Sequence, residues 1–106
     1  CTAKVEINEG YPVTINTSME SDIAIEVAKK VVKTKAVKDN LAPSMGAEDF
    51  AYMLEKKPGA YIWLGAGEGK SGCMLHNSKY DFNDEIIPLG ISYWYNLVEN
   101  QLSVES

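Results

Sequence analysis

The chain has 106 residues, of which 45% are hydrophobic and 24% charged, and its net charge is −5. That length builds one modest domain or a part of something larger, and no stretch approaches the roughly 20 apolar residues of a membrane span. A negative balance without a basic cluster removes the electrostatic attraction on which nucleic-acid binding depends, so neither a nucleic acid nor a membrane is expected as a partner. Two cysteines, one of them Cys1, make no disulfide framework, and a reducing cytoplasm is the expected compartment.

Thr2 to Asn8 alternates, with Ala3, Val5 and Ile7 on one face, and reads as a strand already in progress. Glu9-Gly10-Tyr11-Pro12 breaks that pattern, and Pro12 to Asn16 is an extended link, a natural place for a domain boundary. Thr17-Ser18-Met19-Glu20 has the form of a capping box, in which a hydroxyl and a carboxylate satisfy the amides of a helix start. Ala24, Val27, Ala28 and Val31 then recur at helical spacing, widened by Ile23 and Val32, which predicts a helix over about 18–34. Ala36-Val37 is a candidate short strand, and Leu41 to Gly46 a loop.

Glu48 and Asp49 open a second helix with Phe50, Met53 and Leu54 on one side, closed by Lys56-Lys57-Pro58-Gly59. The apolar run Ala60 to Leu64 reads as a buried strand, and a helix joined so tightly to a strand indicates an α/β arrangement. Gly65 to Gly72 is a flexible loop whose spacing fits neither phosphate-binding pattern. Pro88 cannot lie deep in a helix capped at Asn83, so a separate turn at 84–87 and a main helix starting near Pro88 are expected. Leu89, Ile91, Tyr93, Trp94, Leu97, Val98 and Leu102 give that helix a wide apolar face to lay on a sheet, and Val104-Glu105-Ser106 should fray.

The candidate chemistry centres on His76, the one histidine of the chain, which lies between a glycine-rich approach and the acids Asp81, Asp84 and Glu85. A loop imidazole there suits a site mouth, but a structural histidine is the plainer reading, and one imidazole cannot build a hydrolytic metal site that takes about three protein ligands. Cys73 and His76 share a zinc-like spacing with no second pair, so Cys73 reads as a buried or partly buried free thiol. Gly46-Ala47 offers backbone amides ahead of a helix, suited to a carboxylate or phosphate, although Glu48 and Asp49 complementing the helix dipole is the plainer reading of the residues alone.

Three segments taken together, Ser44 to Phe50, Pro58 to Gly67 and Leu75 to Asp84, resemble the closing motifs of the M20 metallopeptidase family. The similarity is to its amidohydrolase branch of hippurate hydrolases and N-acyl-L-amino-acid amidohydrolases, and Tyr11 to Asn16 resembles the return from that family's inserted lid. The resemblance implies that residues 1–12 end an α+β lid or dimerisation domain and 13–106 form the C-terminal part of a zinc-peptidase-like α/β catalytic domain, its helices packed on a mixed sheet.

It further implies that His76 is a metal ligand, that Gly46 and Ala47 face a substrate carboxylate, and that the cofactor is zinc or manganese, one or two ions activating water. The remaining ligands and the general base are expected in an N-terminal part of the same enzyme, so the chain alone is expected to be inactive. The implied partners are an N-acyl amino acid as substrate, that N-terminal part, and a second copy through the lid. Ser78 stands where many members have proline, which loosens the loop and leaves His76 in place. The alternative class is a non-catalytic α/β binding or assembly module with a structural His76.

Overall fold

A computed structural model describes residues 1–67 and 72–102. The glycine-rich loop expected at 65–72 and the fraying expected at 104–106 fall partly or wholly outside them. Among the described residues three helices carry the fold: α1 (Ser18–Val31), α2 (Phe50–Leu54) and α3 (Ile87–Leu102), with 3₁₀ turns at Thr34–Ala36 and Asp84–Ile86. None of the helices among the described residues is long and apolar enough to cross a membrane.

Helix α1 starts where the pattern predicts and stops earlier, at Val31. Val32 leaves the helix at φ −123° and ψ 163°, consistent with the poor helix preference of the β-branched Val31-Val32 pair. Lys30 pairs with Glu26 at 3.1 Å across one turn, an exposed contact of small energetic value. The expected strand at Ala36-Val37 is instead the 3₁₀ turn, closed by Val37 N–H donating to Thr34 C=O at 3.1 Å.

Thr17 is the N-cap of α1, yet its hydroxyl does not bond the helix amides as a capping box requires. It meets the Glu20 carboxylate and accepts the Gly59 amide at 3.0 Å, while Thr17 N–H donates to Gly59 C=O at 3.0 Å. Asn16 completes this clamp. Its Nδ2 donates to Tyr61 C=O at 2.9 Å, and its Oδ1 accepts Tyr61 N–H at 2.8 Å. The beginning of the 59–66 segment is thereby fixed to the start of α1, and Asn83 holds the other end, its Nδ2 donating to Ala66 C=O at 2.9 Å.

The sheet is where the expectation differs most from the structure. Among the described residues there is no strand: 2–8 and 60–64 lack the backbone ladder that defines one. In 60–64 both main-chain groups of Tyr61 go to the Asn16 side chain. Nor is the run buried, for Ile62, Trp63 and Leu64 are 41%, 64% and 43% exposed.

The turn expected before Pro88 is found, and α3 begins at Ile87 directly after it. Asn83 caps the turn by accepting Glu85 N–H at 3.2 Å. Helix α3 packs against α1 instead of a sheet. The buried apolar residues are Ala24 and Val27 of α1, Ala51 of α2 and Tyr93 of α3. Ile87, Ile91, Tyr95, Val98 and Leu102 form a second stripe of α3, each more than half exposed. The radius of gyration is 18.1 Å, against about 13 Å for a compact chain of this length, and residues 1–10 are exposed throughout.

Replacing Thr17 by Val removes the hydroxyl from Gly59 and Glu20 while keeping the side-chain volume. Thr17→Val is expected to lower unfolding free energy by about 1 kcal/mol, read as a lower urea midpoint at unchanged slope, and Thr17→Ser to recover most of the loss.

Candidate functional site

Two loops carry the candidate residues. The first leads into α2, where Gly46 and Ala47 are exposed and Met45 is fully so. A Cβ on Gly46 would meet only Ser44 Oγ, at 3.9 Å, so packing within this chain does not require glycine there.

The acids that follow are engaged. Ala51 N–H donates to Glu48 C=O and Tyr52 N–H to Asp49 C=O, each at 3.1 Å, and the Glu48 side chain accepts Phe50 N–H at 3.2 Å. These bonds start α2 at Phe50, two residues later than Glu48 suggests. Hydrogen bonding to Glu48, then burial and the Glu48 charge, push the Tyr61 phenol above its ordinary value. Hydrogen bonding to Asp49, with its charge, does the same to the exposed Tyr11. Aromatic contacts frame both pairs: Tyr11 lies 5.4 Å from Tyr52 and Phe50 5.6 Å from Tyr61 between ring centroids. Gly59 fits closely beneath them, since a Cβ there would come within 3.3 Å of Leu54 and 3.4 Å of Phe50.

The second loop carries His76, which is exposed and has a backbone φ of +65°, in the left-handed region. Histidine is among the side chains enriched there, although the conformation still costs energy. Immediately after it, Asn77 shapes a turn: its Oδ1 accepts Lys79 N–H and its C=O accepts Tyr80 N–H, both at 2.9 Å. An exposed imidazole is not a core residue, which removes the buried version of the structural reading. Cys73 nearby is a half-buried thiol.

Among the described residues, no three His, Cys, Asp or Glu side chains come together in a group that could hold a metal ion. A lone imidazole is short of the roughly three protein ligands of a hydrolytic centre, so the donors among the described residues do not by themselves fit one.

The model of the peptidase family M20/M25/M40 matches residues 2–100. The chain belongs to this family. Among curated M20 relatives it is similar to a hippurate hydrolase of Campylobacter jejuni, at 38% identity over 89% of this chain and 24% of that protein. A thermostable carboxypeptidase 2 of Saccharolobus solfataricus is 36% identical over 84% of the chain and 22% of its own length. An N-acetyldiaminopimelate deacetylase of Pediococcus pentosaceus is 28% identical over 97% and 26%. The chain thus spans about a quarter of the length of the curated relatives it matches. No solved structure matches it significantly.

Within this M20 chain, sequence reasoning singled out His76, Gly46 and Ala47 and named Asn83 as a cap, but missed Asn16, Tyr61 and Tyr11 as groups that hold the loops, and the second bond of Asn83 to Ala66. Asn16 directly before a helix cap carried a faint signal, because asparagine is a common partner of backbone groups at element ends. Tyr11 and Tyr61 carried none, since their carboxylate partners lie far along the chain.

The raised phenol fixes the sign of a pH effect. Tyr61 favours its protonated form in the folded chain, so its contribution is complete below the ordinary tyrosine value of about 10 and is lost as pH rises through its own higher value. Phenolate absorbance should show Tyr61 ionising late in the wild type, and Glu48→Gln should bring it back towards the ordinary range.

Proposed function

We propose that this chain is the C-terminal portion of a metal-dependent amidohydrolase that cleaves the amide bond of N-acyl amino acids of the hippurate type. The observation that carries the reading is the similarity to a hippurate hydrolase over 89% of the chain. The deacetylase relative, by its name also an amide-cleaving enzyme, supports it. The reaction consumes one water and yields a carboxylic acid and a free amino acid.

His76 supplies one imidazole to a zinc or manganese site, of one or two ions, completed by residues outside this chain, which accounts for an exposed imidazole without partner ligands among the described residues. Gly46 and Ala47 orient the substrate carboxylate with their amides, and the absence of a packing reason for Gly46 is compatible with a glycine kept for close approach. Residues 1–12 belong to a lid domain able to pair with a second copy, and residues 13–106 to the catalytic domain. The extended segments 2–8 and 60–64 and the exposed stripe of α3 join a mixed sheet there, giving the α/β fold. The cytoplasm is the compartment, and the chain on its own is inactive.

The test is hydrolysis of N-acetyl and N-benzoyl amino acids by the complete enzyme with manganese or zinc. His76→Asn is a better probe than alanine because asparagine accepts the left-handed backbone. It should cut hydrolysis by more than roughly a hundredfold while the circular dichroism spectrum is retained. Unchanged turnover would return His76 to a structural role and favour a binding module. Gly46→Val should raise KM with little change in kcat or stability, because a side chain there has open space within this chain.

A further inference from the structure

An asparagine side chain can be lost to its own backbone when the nitrogen of the following residue attacks the side-chain carbonyl carbon. That ring closure is helped by a small neighbour with a free N–H, and by a donor that stabilises the oxyanion forming on Oδ1. Asn77 has all of these. Its Oδ1 accepts Lys79 N–H at 2.9 Å, so a main-chain donor already stands where the negative charge develops. Ser78 is the smallest residue to follow any asparagine of the chain. Neither its N–H nor Asn77 Nδ2 is hydrogen-bonded among the described residues. Tyr80 N–H donates to Asn77 C=O at 2.9 Å and holds the turn, while residues 77–79 are exposed to water.

The other asparagines each lack part of this arrangement. Asn16 spends Nδ2 on Tyr61 C=O, and the amide after it, Thr17 N–H, goes to Gly59 C=O. Asn83 also accepts an amide two residues on, from Glu85 at 3.2 Å, but it is half-buried and its Nδ2 is held by Ala66 C=O at 2.9 Å. Asn96 and Asn100 lie in α3, where the following amides belong to the helix. Asn8 and Asn40 precede the larger Glu9 and Leu41 and have no donor on Oδ1 among the described residues.

We propose that Asn77 is a site of self-catalysed deamidation, promoted by the folded turn. The Ser78 nitrogen gives its proton to solvent and bonds to Asn77 Cγ, with Lys79 N–H on the oxyanion. The tetrahedral centre then expels Nδ2 as ammonia and leaves a cyclic imide. Water opens the imide at either carbonyl, giving aspartate or isoaspartate. One water is consumed, one ammonia is released, and nothing is oxidised or reduced. The product carries a new negative charge directly after His76, and the isoaspartate form also lengthens the main chain there by a carbon. The inference does not rest on the amidohydrolase reading.

The experiment follows each asparagine by peptide mass mapping while the complete enzyme is held at mildly alkaline pH, folded in one arm and unfolded in urea in the other. Asn77 should deamidate at least about threefold faster in the folded protein than in urea, because only the fold fixes the Lys79 donor. Asn16 and Asn83 should be slower folded than unfolded. Ser78→Pro removes the attacking N–H and should abolish conversion at Asn77 in both arms.

A folded rate at Asn77 equal to or below its urea rate would overturn the proposal, since the turn would then shield the amide. Conversion that persists in Ser78→Pro would overturn attack by the main chain. Should Ser78→Pro fold poorly, its urea arm still tests the attack, and the folded and urea arms of the wild type decide the role of the turn.

Discussion

The arrangement depends on two adjacent polar side chains imitating the edge of a sheet. A primary amide sets an N–H donor beside a carbonyl acceptor with nearly the spacing of a peptide group, and Asn16 uses them to take both main-chain groups of Tyr61. Thr17 does the same for Gly59, with its own N–H on the carbonyl and its hydroxyl on the amide. Alternate residues of the extended segment are satisfied along one edge, as a neighbouring strand would satisfy them. Phe50 and Leu54 close over Gly59, and the Tyr61 ring then stands beside Phe50 and the Glu48 carboxylate. The loop bearing Gly46 and Ala47 is thus referred to the first turn of α1 through a short series of contacts.

Local rules were enough for the helices and not for what lies between them. The start of α1 after Thr17 and the break before Pro88 follow from backbone chemistry within a few residues, and both are found. The end of α1 was overrun because periodicity alone does not weigh the two valines at its close. The extended runs were harder, since strand identity is a property of a pair and the partner is not written in the run itself. Thr17 was given its familiar capping role, whereas the structure spends its hydroxyl on a contact 42 residues away. His76 stood out as the single imidazole, but nothing in the run around it announced its left-handed backbone, which directly precedes the turn that Asn77 makes.

The distribution of apolar surface agrees with the length comparison. One side of α3 meets α1 while Ile87, Ile91, Tyr95, Val98 and Leu102 face outward, and Val5, Ile7, Val13 and Ile15 line an extended segment that is itself exposed. A stripe of that extent on a self-sufficient domain is unusual. Membership of the M20/M25/M40 family, in curated relatives about four times as long, supplies a reason for it: the surfaces suit a larger body that uses them as interior.

The clamp also sets an order of events during folding. Helix α1 and the turn into α3 draw on contacts within a few residues, so each forms on the timescale of local chain motion. Joining Asn16 to Tyr61 spans 45 residues, and closing a loop of that size costs about 3 kcal/mol of chain entropy before any bond repays it. The seat of Gly46 and Ala47 is therefore assembled late, after the helix that receives it, and its arrival is governed by contact order more than by local preference.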